Sequence, residues 1–150
     1  MSFIALITWF AAVVAGLCLL AIWLVEYDHK DAATHLPRTV VSAHALLAVS
    51  GLVVWLAYLD GGTSGLVWMS VLILAVVAAL GLTMAGRWLA VYRMYKAPPA
   101  MVVPAGTRGA RSPAAVPPER KFPVPVVIAH GVLAAATIIM VLLTALIPGS

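Results

Sequence analysis

Two histidines lie deep in apolar stretches of this chain, in matching surroundings. Leu36-Pro37-Arg38-Thr39-Val40-Val41-Ser42-Ala43-His44-Ala45 and Phe122-Pro123-Val124-Pro125-Val126-Val127-Ile128-Ala129-His130-Gly131 share the pattern Pro-x-x-Val-Val-x-Ala-His. The match continues through Leu47-Ala48 and Leu133-Ala134. Shared Ala, Val and Leu are common in any apolar sequence, but a proline and a histidine seven residues apart in both copies are not. The pattern reads as an internal duplication. An ionisable side chain at such depth in lipid needs a partner or a ligand. Two imidazoles at one level can bind a metal through neutral nitrogens or hydrogen-bond between helices.

The elements that carry them must be membrane spans. The chain has 150 residues, of which 64% are hydrophobic and 9% charged, with a mean hydropathy of +1.10. That composition excludes a soluble domain of this length and points to an integral membrane protein. Cys18 is the only cysteine, so neither a disulfide framework nor a thiolate cage is available, and it reads as a small packing residue. Asn and Gln are absent, which leaves the histidines to supply much of the intramembrane polar chemistry.

Hydropathy predicts four transmembrane helices at about 3–25, 39–59, 66–96 and 123–147, each long enough to cross the hydrocarbon core. The first run has no basic residue before it and no small-residue cleavage pattern after it, so it is read as a span and not as a signal peptide. Pro37 and Pro123 suit the first turn of their helices, where the missing N–H is not needed. Asp60-Gly61-Gly62-Thr63-Ser64-Gly65 is a tight turn that makes the second and third helices antiparallel neighbours. The loop Glu26–Arg38 carries Asp28, His29, Lys30, Asp31 and His35 and reads as a solvated connection more than a metal site. Residues 97–121 form a Pro- and Arg-rich loop, expected to be flexible and cytoplasmic.

All nine Lys and Arg residues fall in the first loop, at the end of the third helix or in the third loop. The positive-inside rule places those connections in the cytoplasm and both termini outside. Trp23, Tyr27, Trp88, Tyr92 and Tyr95 would then form an inner aromatic belt, and Trp9, Trp55, Tyr58 and Trp68 an outer one. The expected fold is an all-α membrane bundle of four helices, built from two parallel two-helix repeats about an axis along the membrane normal. His44 and His130 then share one depth, about 10 Å inside their helix starts.

Their helical neighbours are small. Positions i+4 and i+7 are Ala48 and Gly51 after His44, and Ala134 and Thr137 after His130. Small residues above opposed imidazoles leave a flat slot that suits a haem b macrocycle in a four-helix bundle. Arg38, Arg120 and Lys121 lie where they could meet the propionates. Small residues also line ordinary membrane helix contacts, so interhelical hydrogen bonding by the histidines stands as the alternative. A zinc or copper centre would need further ligands at this depth.

With His44 and His130 as the paired residues, the layout resembles b-type membrane cytochromes and the haem-carrying anchors of respiratory dehydrogenases, in which two histidines of a helical bundle ligate iron. The resemblance implies one haem, since His29 and His35 lie in a loop. The phrase Phe122-Pro123-Val124-Pro125-Val126-Val127-Ile128-Ala129-His130 is similar to that of small actinobacterial membrane proteins, which implies a bacterial plasma membrane. The expected function is electron transfer or redox-accessory work, with no catalytic activity of the chain's own. A quinone or another membrane subunit is the expected partner, and nucleic acid is not. A non-redox subunit of a larger membrane complex is the alternative, while a transporter would want a second polar group at midplane.

Overall fold

The computed structural model describes residues 1–27, 34–96 and 117–147, apart from the side chain of Tyr95. Four α-helices are present: α1 (Ser2–Glu26), α2 (Arg38–Gly61), α3 (Ser64–Lys96) and α4 (Val124–Leu146). Each is long and apolar enough to cross a membrane. Helix α3, with 33 residues, extends about 50 Å at 1.5 Å per residue, well beyond a hydrocarbon core of about 30 Å. The expectations for His29, Lys30 and most of the third loop, Arg108 and Arg111 included, fall outside the described residues. The end of that loop is not plain linker, because Pro118–Lys121 forms a 3-10 turn, called the strap below.

Helices α2 and α4 begin alike. Pro37 and Pro123 are their N-caps, at φ −62°, ψ 125° and φ −65°, ψ 118°. The carbonyl of each accepts the amides three and four residues on, those of Val40 and Val41 in α2 and of Val126 and Val127 in α4. The shared start fixes the same seven-residue step to each histidine. At the other end of α2, Gly62 takes the left-handed conformation, φ 67°, and its amide caps the Tyr58 carbonyl at 2.8 Å, as a glycine after a helix commonly does.

The bundle runs α1, α2, α3, α4 around its perimeter, with α2 and α4 on one diagonal and α1 and α3 on the other. Helix α1 packs chiefly on α4, and α2 chiefly on α3, while contacts between these two pairs are sparser. The molecule is therefore two tight helix pairs laid against each other. Large apolar side chains such as Phe3, Ile7, Phe10 and Leu82 are exposed, as lipid-facing positions require.

Among the described residues, two apolar clusters hold the pairs together. At the Asp60 end, Ala5, Trp9, Trp55, Val67, Leu74 and Val141 are buried together, with Trp9 and Trp55 6.3 Å apart. At the Lys/Arg-rich end, Trp23, Leu36 and Val41 pack with Leu20, Tyr27, Met84 and Phe122. These clusters correct the aromatic-belt expectation. Trp9, Trp55 and Trp23 point inward because each indole N–H finds an internal acceptor: Ala48 O at 3.2 Å, Ser2 O at 3.3 Å and Thr34 Oγ1 at 3.0 Å. A satisfied indole carries its large apolar body into the core. Trp68 is exposed.

Candidate cofactor site

The diagonal placement of α2 and α4 brings His44 and His130 together across the bundle, edge to face. Their ring centroids are 6.2 Å apart and their planes cross at 68°. Each imidazole is anchored by a helix of its own pair. His44 Nδ1 lies 3.0 Å from Val77 O on α3, and His130 Nδ1 lies 2.9 Å from Ala12 O on α1. A carbonyl can only accept, so each Nδ1 carries a proton and donates it, which in the neutral ring leaves the lone pair on Nε2. A backbone carbonyl on Nδ1 is also the usual outer partner of a metal-ligating histidine, fixing ring orientation and tautomer.

One turn beyond each anchoring carbonyl stands a glycine. A Cβ on Gly16 would lie 3.0 Å from His130 Cε1, and one on Gly81 would lie 3.1 Å from His44 Cε1. Carbonyl and glycine at i and i+4 thus form a notch that receives the imidazole edge, once on α1 and once on α3. Sequence reasoning missed these two glycines, although a signal for them exists. Gly16-Leu17 is followed by Trp23-Leu24 and Tyr27, and Gly81-Leu82 by Trp88-Leu89 and Tyr92, so Gly-Leu-x5-Trp-Leu-x2-Tyr occurs in both helices. The aromatic pairs it contains also correspond, with Trp23 to Tyr27 at 4.9 Å and Trp88 to Tyr92 at 5.4 Å.

The expected slot residues are placed differently from one another. Ala48 and Ala134 are half-buried, and Ala48 gives its carbonyl to Trp9. Thr137 is buried, its hydroxyl donating to Leu133 O at 2.8 Å within its own helix. Gly51 corrects the slot expectation. A Cβ there would meet Trp9 Cζ2 at 2.8 Å and Ile73 Cγ2 at 2.9 Å, so its smallness admits an indole, not a macrocycle. Trp9 therefore bounds the site toward the Asp60 end, and Trp23, fourteen residues on, bounds it toward the other. Gly16 is midway along that span of about 21 Å.

The three cations lie at the Lys/Arg-rich end, and two of them are engaged with the end of α1. The Arg38 guanidinium stands 5.5 Å from the centre of the Tyr27 ring, and Lys121 pairs with Glu26. Arg120 is exposed on the strap. His35 is not near the paired imidazoles in the bonding network: its ring nitrogen Nδ1 meets Glu119 Oε1 at 3.2 Å.

Two imidazoles from opposed helices are a donor set that would suit a haem, with His44 and His130 as the residues to hold it. Each histidine comes from a different helix pair, so the plane between them coincides with the sparser interface of the bundle. No protein-family model matches the chain, and it has no match among curated proteins or solved structures.

Proposed function

We propose that the chain binds one haem b between His44 and His130 and serves in electron transfer, passing electrons to a quinone or to another membrane subunit. The observation that carries this reading is the pair of anchored imidazoles, each Nδ1–H committed to a carbonyl and the two rings 6.2 Å apart across the bundle. When bound, haem supplies reversible one-electron redox chemistry. The chain's own part is to fix two imidazoles through their Nδ1–H groups and to keep lipid and water from the space between Trp9 and Trp23.

In this reading the chain is two parallel two-helix repeats, α1–α2 and α3–α4, related by an axis along the membrane normal. The paired notches support it, since α3 holds the histidine of α2 as α1 holds that of α4. By the positive-inside rule, the basic residues at one end support a cytoplasmic side there, with both termini outside a bacterial plasma membrane. Arg38, Arg120 and Lys121 then stand at the cytoplasmic rim, toward which the propionates would point. The protein purified from haem-replete cells tests the proposal. It should show a Soret band and a reduced α-band of six-coordinate haem b, near one haem per chain; a folded, colourless protein would reject it.

One observation favours a second reading. Both histidines already make an interhelical hydrogen bond, which is all that a non-redox accessory subunit of a larger membrane complex would ask of them. Membrane hydrogen bonds of this kind contribute about 0.6 kcal/mol on average.

A further inference from the structure

Glu119 is a fully buried carboxylate that the haem proposal does not use. Its Oε1 accepts from the His35 amide at 2.6 Å and faces His35 Nδ1 at 3.2 Å, and its Oε2 accepts from Thr34 Oγ1 at 3.1 Å. Thr34 in turn accepts the Trp23 indole N–H at 3.0 Å and the Leu36 amide at 3.1 Å. Arg87 of α3 donates to His35 O at 3.0 Å, and Lys121 pairs with Glu26 of α1. A carboxylate out of water is tolerated only with its lone pairs satisfied in this way, and removing its partners or itself unbalances the group.

The strap that carries Glu119 packs on α1 and on α3. Those helices lie on one diagonal and belong to different helix pairs, so the strap crosses the interface in which His44 and His130 meet. Beneath it lies the cluster of Trp23, Leu36 and Val41 with Met84 and Phe122, and the next turn down holds the histidines and their glycines. The opposite approach is filled by the Trp9–Trp55 cluster, in which Ala5, Trp55 and Val141 have no exposed surface. Among the described residues, one mouth of the site is thus closed by a core cluster of six buried side chains and the other by a smaller cluster of three, capped by the strap.

We infer that the strap is a lid over the route by which the cofactor reaches His44 and His130, and that Glu119 is the latch that fastens it to the first loop at Thr34 and His35. This inference rests on the haem reading for what passes beneath the lid, but not for the lid's movement. The larger cluster opens only with much of the bundle, whereas a smaller one capped by a short turn that hydrogen bonds hold opens more locally. Releasing Glu119 leaves the axial ligands and their notches in place and so changes how fast the site loads and empties more than how it binds.

Two measurements test it separately. In a Cys18→Ser, Val41→Cys protein, the thiol lies in the buried cluster under the strap, and a water-soluble maleimide reports its exposure. Glu119→Ala should speed labelling by about tenfold or more, as expected when a local opening free energy falls, and Glu119→Gln by less because it keeps part of the bonding. Unchanged labelling in both variants, with unchanged size-exclusion behaviour, would overturn the latch. In the Cys18→Ser background alone, Glu119→Ala should speed both hemin uptake by the emptied protein and haem loss to a scavenging apoprotein, with the bound spectrum unaltered. Faster labelling with unchanged exchange rates would overturn the lid as a haem route. Absence of a Soret band before any substitution would instead reject the haem reading, leaving the labelling to decide the latch.

Discussion

A methyl group on Gly16 would stand 3.0 Å from Cε1 of His130, closer than side chains ordinarily approach. Gly81 has the same relation to His44 at 3.1 Å, so each imidazole is seated against a bare stretch of helix backbone. Alanine at either glycine should displace the ring by a few tenths of an ångström, and leucine should dislodge it. Overpacking of this kind costs about 1–3 kcal/mol. The expected outcome is a perturbed haem spectrum for Gly16→Ala or Gly81→Ala and loss of bound haem for Gly16→Leu or Gly81→Leu. Nitrogen NMR of labelled histidine gives a check that does not need haem: the leucine variants should lose the Nδ1–H tautomer that the carbonyl bonds impose.

How much of this was legible in the sequence differs by element. The four spans were, because twenty or more apolar residues have one physical solution in lipid, and helix starts at Pro37 and Pro123 came within a residue of those observed. The equal depth of His44 and His130 was legible too, since it follows from the shared proline spacing. The notches were not, because a glycine's meaning depends on which helix it faces, and α1 could have packed on α2 as readily as on α4. Gly51 was misread for the same reason: its small size serves Trp9 on another helix. Glu119 was hidden in a stretch whose proline and arginine content reads as linker, and only its bonds to Thr34 and His35 reveal a packed end.

The contact between Gly51 and Trp9 yields its own prediction. Because a Cβ at Gly51 would press on both Trp9 and Ile73, Gly51→Val should lower the detergent melting temperature, by an amount corresponding to about 1–3 kcal/mol. Gly131, beside which a Cβ would meet no atom within 4 Å, serves as the control. Gly131→Ala should leave the melting temperature unchanged or raise it slightly, and equal losses in both would show that the bundle does not depend on that indole.

Topology is open to a direct check in a Cys18→Ser background. Thr63→Cys in the glycine turn and Arg93→Cys at the end of α3 should be labelled by an impermeant maleimide from opposite sides of the membrane. Labelling from one side would dismantle the four-span arrangement and, with it, the common depth of the two histidines.

Filling the space beside the imidazoles separates ligand chemistry from room for the ligand. Ala134→Phe keeps both histidines but adds a ring one turn beyond His130, so the protein should insert and fold while losing most bound haem. Undiminished haem content in that variant would place the macrocycle elsewhere.

The most direct measurement of the central claim is the reduced-minus-oxidised spectrum of the purified protein beside those of His44→Ala, His130→Ala and His35→Ala. The account predicts a six-coordinate haem b spectrum in the unsubstituted protein, its loss or conversion to another coordination state in each of the first two variants, and no change in the third, since His35 faces Glu119. A haem spectrum that survives both His44→Ala and His130→Ala would contradict it.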